Sequence, residues 1–307
     1  MAYRFKKGEE VSRAIERVFA EEINGAVGQL VRSKNRGQAV HEARKSLKKI
    51  RGLLSLVEPC LGSVYKTEDR CFRDAGRLLS DLRDRAVIVQ VFDRVAAQRS
   101  ELPAAARAAI RHNLERSASA APPEKEVSSQ VVSLLKQASL RGESWPLRDL
   151  DLATLASSMT TVYRRSRRAW KHAQELETSE SLHNFRKEVK QHWYQLRLFD
   201  NFGDANMKTR LADLNHLSTQ LGDQHDLIVL RSRLTADLET SRDRQQIRHV
   251  LCWLDEESDN LRKQALEMGQ RLFAEKPSVF HHRLAALTVP SRKPTAVALL
   301  GVKSAVA

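Results

Sequence analysis

Two stretches of this sequence place cationic side chains at the spacing of a helix face. The first is VHEARKSLKKIRGLLSLV, residues 40–57, which holds five Lys or Arg and one acid, Glu42, between positions 41 and 51. Its cationic set comprises His41, Arg44, Lys45, Lys48, Lys49 and Arg51. Side chains three or four residues apart lie on one face of an α-helix. Arginine on such a face binds phosphate oxygens in pairs and lysine adds a mobile point charge, so the pattern favours binding of a polyanion.

The second stretch, LHNFRKEVKQHWYQLRLF at residues 182–199, nearly repeats the first. Its cationic set comprises His183, Arg186, Lys187, Lys190 and Arg197. The pattern His, Arg, Lys, Lys recurs at an offset of 142 residues, and one register holds over roughly 50 residues without a gap. The same offset relates Asp81 and Asp84 to Asp223 and Asp226. Such self-similarity indicates an internal duplication into two related helical bundles packed about a pseudo-two-fold axis.

Further cations lie near both stretches, and few acids are interleaved with them. Residues 163–172 hold five Lys or Arg and no acid. The further candidates for the site are Arg73, Arg77, Arg164, Arg165 and Arg168. Like charges at helical spacing repel, so either acids on other helices or an external anion must relieve the repulsion. A single basic face is usually a solvated surface, and a single histidine is usually incidental, but the duplication favours an external anion.

An apolar stripe runs beside each cationic stripe, about 100° around the helix. The first comprises Val40, Ala43, Leu47, Ile50, Leu54 and Val57. The second comprises Leu182, Phe185, Val189, Leu196 and Phe199, with His192 as its one polar member. Most of the chain keeps a period near 3.6, and even the β-prone segment 87–92 continues a helical pattern, so the predicted fold is all-α. Trp170, Trp193 and Tyr194 are interpreted as packing residues.

Turn-forming residues divide the chain. Breaks are predicted near 33–37, 58–62, 117–126, 141–149, 202–206 and 275–278. The first half is assigned to residues 1–145 and the second to 146–288, followed by a flexible tail at 289–307.

The charge of the whole chain agrees with an anionic partner. Of its 307 residues, 41% are hydrophobic and 29% charged, and the net charge is +14. Such a surplus favours nucleic acid, an anionic membrane or a phosphate polymer. No apolar run reaches the roughly 20 residues that span a bilayer, and three widely spaced cysteines suggest reduced thiols rather than a metal knuckle. We therefore expect a cytoplasmic protein without a membrane partner.

The two basic stretches, together with LSDLRDRAVIV, VYRRSRRAWKHA and LGDQHDLIVL, resemble the CHAD family, the conserved histidine α-helical domain. The resemblance covers about residues 5–285 and keeps the family's order of segments. It implies two four-helix bundles with a positively charged groove or pore between them, binding of inorganic polyphosphate, and association with polyphosphate granules. The two copies of the motif differ at one place, where the second half has Gln191, His192 and Trp193 and the first half has Lys49, Ile50 and Arg51. The two halves therefore need not bind a ligand equally.

The resulting hypothesis is a non-enzymatic protein that binds inorganic polyphosphate, or related phosphate and sulfate anions, with no metal or cofactor. Protonation of His41 and His183 is expected to tighten binding as pH falls toward about 6. A helical nucleic-acid-binding protein is the main alternative. Against it, aromatic residues amount to only 6% of the chain, and no motif of a known nucleic-acid-binding domain is evident. A metal-dependent phosphohydrolase is a third hypothesis, based on the His225–Asp226 pair with His216 and Asp255 as further candidate ligands.

Overall fold

The structure is a computed structural model that describes residues 3–99, 101–116, 124–148, 150–203, 205–238 and 243–288, without the side chains of residues 81–86, 124, 287 and 288. Within these ranges every regular element is an α-helix, which confirms the all-α prediction. The helices are α1 Val11–Arg32, α2 Arg36–Leu56, α3 Glu58–Leu61, α4 Ser63–Ala97, α5 Ala104–Arg116, α6 Glu124–Gly142, α7 Leu152–Leu176, α8 Ser179–Leu198, α9 Ala205–Asp237, α10 Arg244–Phe273 and α11 Pro277–Thr288.

The helices pack in two rings of four, and around each ring they follow one another in chain order. Helices α1, α2, α4 and α6 each contact two others of their set, and α7, α8, α9 and α10 do the same. The rings meet mainly where α2 contacts α8 and where α4 contacts α9, while α5 packs on α4 and α11 on α7. The two basic stretches therefore lie on helices that face each other across the junction. The two-fold axis and the domain boundaries stay predictions.

Both apolar stripes are buried, as predicted. Every member of the first is at most 3% exposed, and every member of the second is at most 5% exposed. One apolar core runs through both rings, and a second cluster joins α4, α5, α9 and α10. His192 is fully buried against the rings of Tyr163, Phe273 and Phe280. Burial holds the pKa of the His192 imidazole well below its ordinary value, so this histidine is a neutral core residue.

The two basic helices begin at capped residues. The Asn35 side chain accepts a hydrogen bond of 3.1 Å from the Gln38 amide at the start of α2. At the start of α8, Thr178 and Ser181 form a capping box. Such caps satisfy amides that would otherwise lack partners at a helix N-terminus. They set where each helix starts and therefore which residues share its cationic face.

Most predicted breaks coincide with helix ends. Those near 33–37, 141–149, 202–206 and 275–278 separate consecutive helices, and residues 58–62 form the short α3 and a turn in which Gly62 has a φ of 53°. Two further connections, α4 to α5 and α9 to α10, were not predicted. Residues 117–123 and the tail at 289–307 lie outside the described residues. No described helix combines the length and apolar content needed to cross a membrane.

Helices α2 and α8 cross closely at Gly52. A Cβ atom at this position would lie 2.8 Å from Cβ of Tyr194 and 3.5 Å from the hydroxyl oxygen of Tyr3. Because Cβ is fixed to the α8 backbone, Tyr194 could not retreat without moving the helix. Near the same crossing, the buried Gln195 side chain donates a hydrogen bond of 3.4 Å to the hydroxyl of Ser55. A residue without a side chain is therefore required where the two basic helices approach.

We expect Gly52→Ala to lower the free energy of unfolding by up to about 2 kcal/mol. Overpacking costs about 1–3 kcal/mol, and the roughly 1 kcal/mol that alanine gains over glycine within a helix offsets part of this cost. Gly76→Ala in α4 is the matched control, because its added Cβ would meet only Leu47 Cδ1 at 4.0 Å. Urea denaturation compares the two, and equal stability changes would contradict a steric requirement at the crossing.

Candidate functional site

A cavity of about 770 Å³ lies between the cationic faces of α2 and α8. We call it the α2–α8 cavity. Its cationic lining comprises His41, Arg44, Lys45, Lys48, Lys49, Arg186, Lys190 and Arg197. The other lining residues are Val87, Trp193, Tyr194, Asp200, Leu211, Ala212, Asn215 and Asp226. Half of the residues predicted from the sequence to bind an anion are thus brought together by two helices distant in sequence.

Positive charge dominates this lining. Among the side chains that the structure describes, seven Lys or Arg face the cavity together with two carboxylates, Asp200 and Asp226. Two of the lysines also have acidic partners: Lys49 Nζ lies 2.8 Å from Glu22 Oε1, and Lys45 Nζ lies 3.0 Å from Glu42 Oε2. The protein therefore offsets part of the charge and leaves a surplus that an external anion would neutralise.

The crowding of cations changes the acid–base behaviour of two lysines. Burial, followed by Arg186, Arg44 and Lys190, lowers the pKa of Lys48 to about 7, and Asp226 opposes the shift. Burial, with Arg186, Arg197 and Lys45, lowers the pKa of Lys190 to about 8. The Lys48 side chain is exposed within the concave wall, so water weakens the effect of burial on its pKa. The repulsion from neighbouring cations also lowers this pKa. An anion in the cavity would counteract the repulsion between the cations and favour the charged lysines.

Arg186 on α8 is a largely buried cation. Burial lowers the pKa of its guanidinium, and Asp226 acts against that shift. Its Nε atom is buried without a hydrogen-bond partner among the described residues. A Cβ at Gly222 would lie 3.5 Å from one guanidinium nitrogen, so this glycine leaves room beside the side chain. Because Nε is buried, a phosphate in the cavity would contact Arg186 through its terminal guanidinium nitrogens.

Aromatic side chains complete the α8 wall of the cavity. From the sequence alone, these side chains are expected only to pack against their neighbours. The Trp193 ring centroid lies 4.9 Å from Lys190 Nζ and 4.8 Å from the guanidinium carbon of Arg197. Tyr194 is 4% exposed yet also borders the cavity. Cation–π contacts of this kind position cations on a wall without neutralising them. The sequence carried a signal for this arrangement, because Lys190, Trp193, Tyr194 and Arg197 share one helix face.

Four of the predicted residues lie outside the cavity and are paired with acids. Arg51 Nε lies 2.8 Å from Asp69 Oδ1, and Arg165 Nη2 lies 2.7 Å from Glu188 Oε1. The other two, Arg73 and Arg77, approach the same Asp74 carboxylate at 3.2 and 3.7 Å. Arg51 and Arg165 are each neutralised by one carboxylate, whereas Arg73 and Arg77 share one carboxylate and keep one net positive charge between them. All four present less charge to an anion than unpaired side chains would.

The second histidine of the duplicated motif also lies outside the cavity. Its ring centroid is 4.9 Å from that of His225, and burial, followed by His225, lowers the pKa of His183. Lys187 and Arg168 are exposed and do not line the cavity, and Arg164 borders a separate cleft. The two histidine motifs are thus placed differently, since His41 borders the cavity and His183 does not.

The aspartates at the duplicated positions also differ. Asp226 borders the cavity, whereas Asp223 Oδ1 lies 3.0 Å from Arg94 Nη1. The side chains of Asp81 and Asp84 are outside the described residues. Of the two aspartates whose side chains are described, Asp223 thus pairs with an arginine on α4 and Asp226 faces the cavity.

The residues suggested for a hydrolase show no shared metal geometry. Asp255 Oδ1 lies 2.5 Å from Arg231 Nε, and His216 is exposed. In the part of the chain that the structure describes, no group of three or more His, Cys, Asp or Glu side chains is arranged to hold a metal ion.

Comparison with known proteins agrees with the resemblance seen in the sequence. A family model for the CHAD domain matches residues 19–235. The crystal structure of the CHAD domain from the plant Ricinus communis is similar with a TM-score of 0.63 and 17% identity, over 93% of this chain and 95% of that chain. At that identity the likeness concerns the fold alone. No curated protein matches the chain.

Proposed function

The chain belongs to the CHAD domain family, which is associated with binding of polyphosphate and triphosphate, and we propose that it binds inorganic polyphosphate in the α2–α8 cavity without converting it. The observation that carries the proposal is the convergence of seven Lys and Arg side chains from two helices on a space that, among the described side chains, is lined by two carboxylates. Crowded cations repel one another. A ligand with closely spaced negative charges would relieve that repulsion at several positions at once.

The spacing of the cations suits a linear ligand. Neighbouring cations on a helix face are about 5–6 Å apart, so successive phosphates of a flexible chain can meet successive side chains. Arg44 and Arg186 would donate paired hydrogen bonds, while Lys48 and Lys190 would supply mobile charges. Specificity would come from linear charge spacing and cavity width, because polyphosphate has no bases to read.

The two helix rings are proposed to be the two halves of the internal duplication, related by a pseudo-two-fold axis, with the cavity as the basic groove between them. Their contributions are unequal, since the first half supplies His41 and the second supplies Trp193 and Tyr194. In the cell, binding of this kind would hold the protein on polyphosphate granules. Imaging of a fluorescent fusion in cells with and without polyphosphate synthesis tests that localisation.

Competition binding is the direct test of the proposed ligand. Fluorescently labelled polyphosphate of defined length is bound to the protein and displaced by unlabelled polyphosphate, single-stranded DNA or double-stranded DNA at matched phosphate concentration. We expect polyphosphate to compete best. Equal displacement by DNA would instead favour the nucleic-acid-binding alternative.

A turnover assay separates binding from hydrolysis. Incubation of polyphosphate with the protein, with and without Mg²⁺ or Mn²⁺, is expected to release no orthophosphate above the protein-free control. Metal-dependent release that grows with protein concentration would contradict a purely binding role and favour the hydrolase hypothesis.

Binding should weaken steeply with salt. For about five phosphate contacts, counterion release predicts a slope of about −3 to −4 in a plot of log affinity against log salt concentration, or roughly a 100-fold loss between 50 and 200 mM. Removing one contact with Arg186→Gln should reduce the slope by about one. A salt-independent affinity would exclude binding through the cationic lining.

A further inference from the structure

A second cleft, of about 410 Å³, lies between α7 and α11. We call it the α7–α11 cleft. Its lining comprises Ser157, Thr160, Thr161, Arg164, Pro277, Ser278, His281 and His282. The described part of the lining contains four hydroxyl side chains, one guanidinium, two imidazoles and no carboxylate. Its volume is in the range of small-ligand sites in proteins.

No described carboxylate neutralises the guanidinium of this cleft. Arg164 is exposed and has no carboxylate within ion-pair distance among the described residues. The next residue, Arg165, shows the contrast, because Glu188 approaches it at 2.7 Å. On the α11 side, Glu275 pairs with Arg283 and not with the lining of the cleft. The charge of Arg164 is therefore available to an anion.

One imidazole of the cleft is held in a defined orientation. The buried Thr160 hydroxyl donates a hydrogen bond of 2.7 Å to the Ala156 carbonyl, so its oxygen can only accept from a second partner. His281 Nδ1 lies 3.1 Å from that oxygen and must therefore carry the proton it donates. Nε2 of His281 is then the nitrogen that remains for a ligand, and it donates when the ring is protonated.

We propose that the α7–α11 cleft binds a phosphate-type anion, either orthophosphate or the end of a short oligophosphate, at a site separate from the α2–α8 cavity. Arg164 supplies the permanent charge, and protonated His281 and His282 add charge-assisted donors. The hydroxyls of Ser157, Thr161 and Ser278 can donate to the remaining oxygens. This inference does not rest on the proposed function, since the two sites share no lining residue.

The test isolates the cleft in the full chain carrying Arg44→Glu and Arg186→Glu, which disable the cavity. Equilibrium dialysis with radiolabelled orthophosphate, and separately with triphosphate, measures the remaining affinity. Adding Arg164→Glu should lower that affinity about tenfold or more, as expected for loss of a charge-assisted contact. Lys171→Glu is the matched control, because it makes the same charge change at an exposed position on α7 outside both sites.

A second measurement locates the bound anion. Imidazole signals in a nitrogen-15 NMR spectrum should shift for His281 and His282 on addition of phosphate, and His282→Gln should weaken binding without disturbing the helical circular dichroism. Tighter binding of triphosphate than of orthophosphate would identify an oligophosphate end as the ligand, and the reverse order would identify free phosphate. Equal affinities of Arg164→Glu and Lys171→Glu, or unmoved histidine signals, would overturn the proposal.

Discussion

Reversing one central charge on each wall of the α2–α8 cavity, with Arg44→Glu and Arg186→Glu together, is expected to lower the affinity for polyphosphate at least about 100-fold. Charge-assisted hydrogen bonds each contribute roughly 1.5–3 kcal/mol, and each factor of ten corresponds to about 1.4 kcal/mol. The new carboxylates would also repel the ligand. Filter retention or fluorescence anisotropy with polyphosphate of fixed length measures the effect.

The control for this variant keeps the same net charge. Lys66→Glu and Lys208→Glu change charges at two exposed positions that are also 142 residues apart and lie outside the cavity. If binding followed only the overall charge of +14, both double variants would lose affinity equally. We expect the control to stay within about threefold of the wild type, because exposed charges are screened over roughly 10 Å at moderate salt. Equal losses would show that the cavity is not the binding site.

The sequence was sufficient for the parts of this arrangement that depend on periodicity. The burial of stripes such as Val40 to Val57 follows from helical spacing, and the duplicated offset identified which helices carry the cations. Side-chain partners from other helices could not be read in the same way. Arg51 shares the spacing of Arg44, but Asp69 on α4 pairs with it.

The convergence of the two walls depends on contacts that leave little trace in the sequence. Gly52 reads as a weakness within a helix, yet it allows the close approach of α2 to Tyr194 on α8. A similar limit applies to His183, which repeats His41 in sequence but lies beside His225 instead of at the cavity. Duplication therefore predicts related helices, whereas tertiary packing decides which of their equivalent side chains reach the same space.

The lysines of the cavity should make polyphosphate binding depend on pH above neutrality. The histidines alone would produce a pH dependence only at lower pH. In the free protein the pKa of Lys48 is about 7 and that of Lys190 is about 8, both below the ordinary value of 10.5. The unfolded chain therefore binds more protons between about pH 7 and 10.5, and these two groups make the free protein more stable as pH rises through that window. Binding has the opposite trend, because a bound polyanion favours the protonated lysines.

We expect the affinity for polyphosphate to fall at least about tenfold between pH 7 and 9 at constant ionic strength, as both lysines lose their protons in the free protein. Calorimetry in buffers of different ionisation enthalpy should show that about one proton is taken up for each cavity that binds polyphosphate at pH 8. The variant with Lys48→Arg and Lys190→Arg should bind well at pH 7 and keep its affinity at pH 9, because arginine remains charged throughout this range. Parallel pH profiles for the wild type and this variant would mean that the pH dependence arises elsewhere, since the substitution preserves charge at both positions and removes only the ability to titrate.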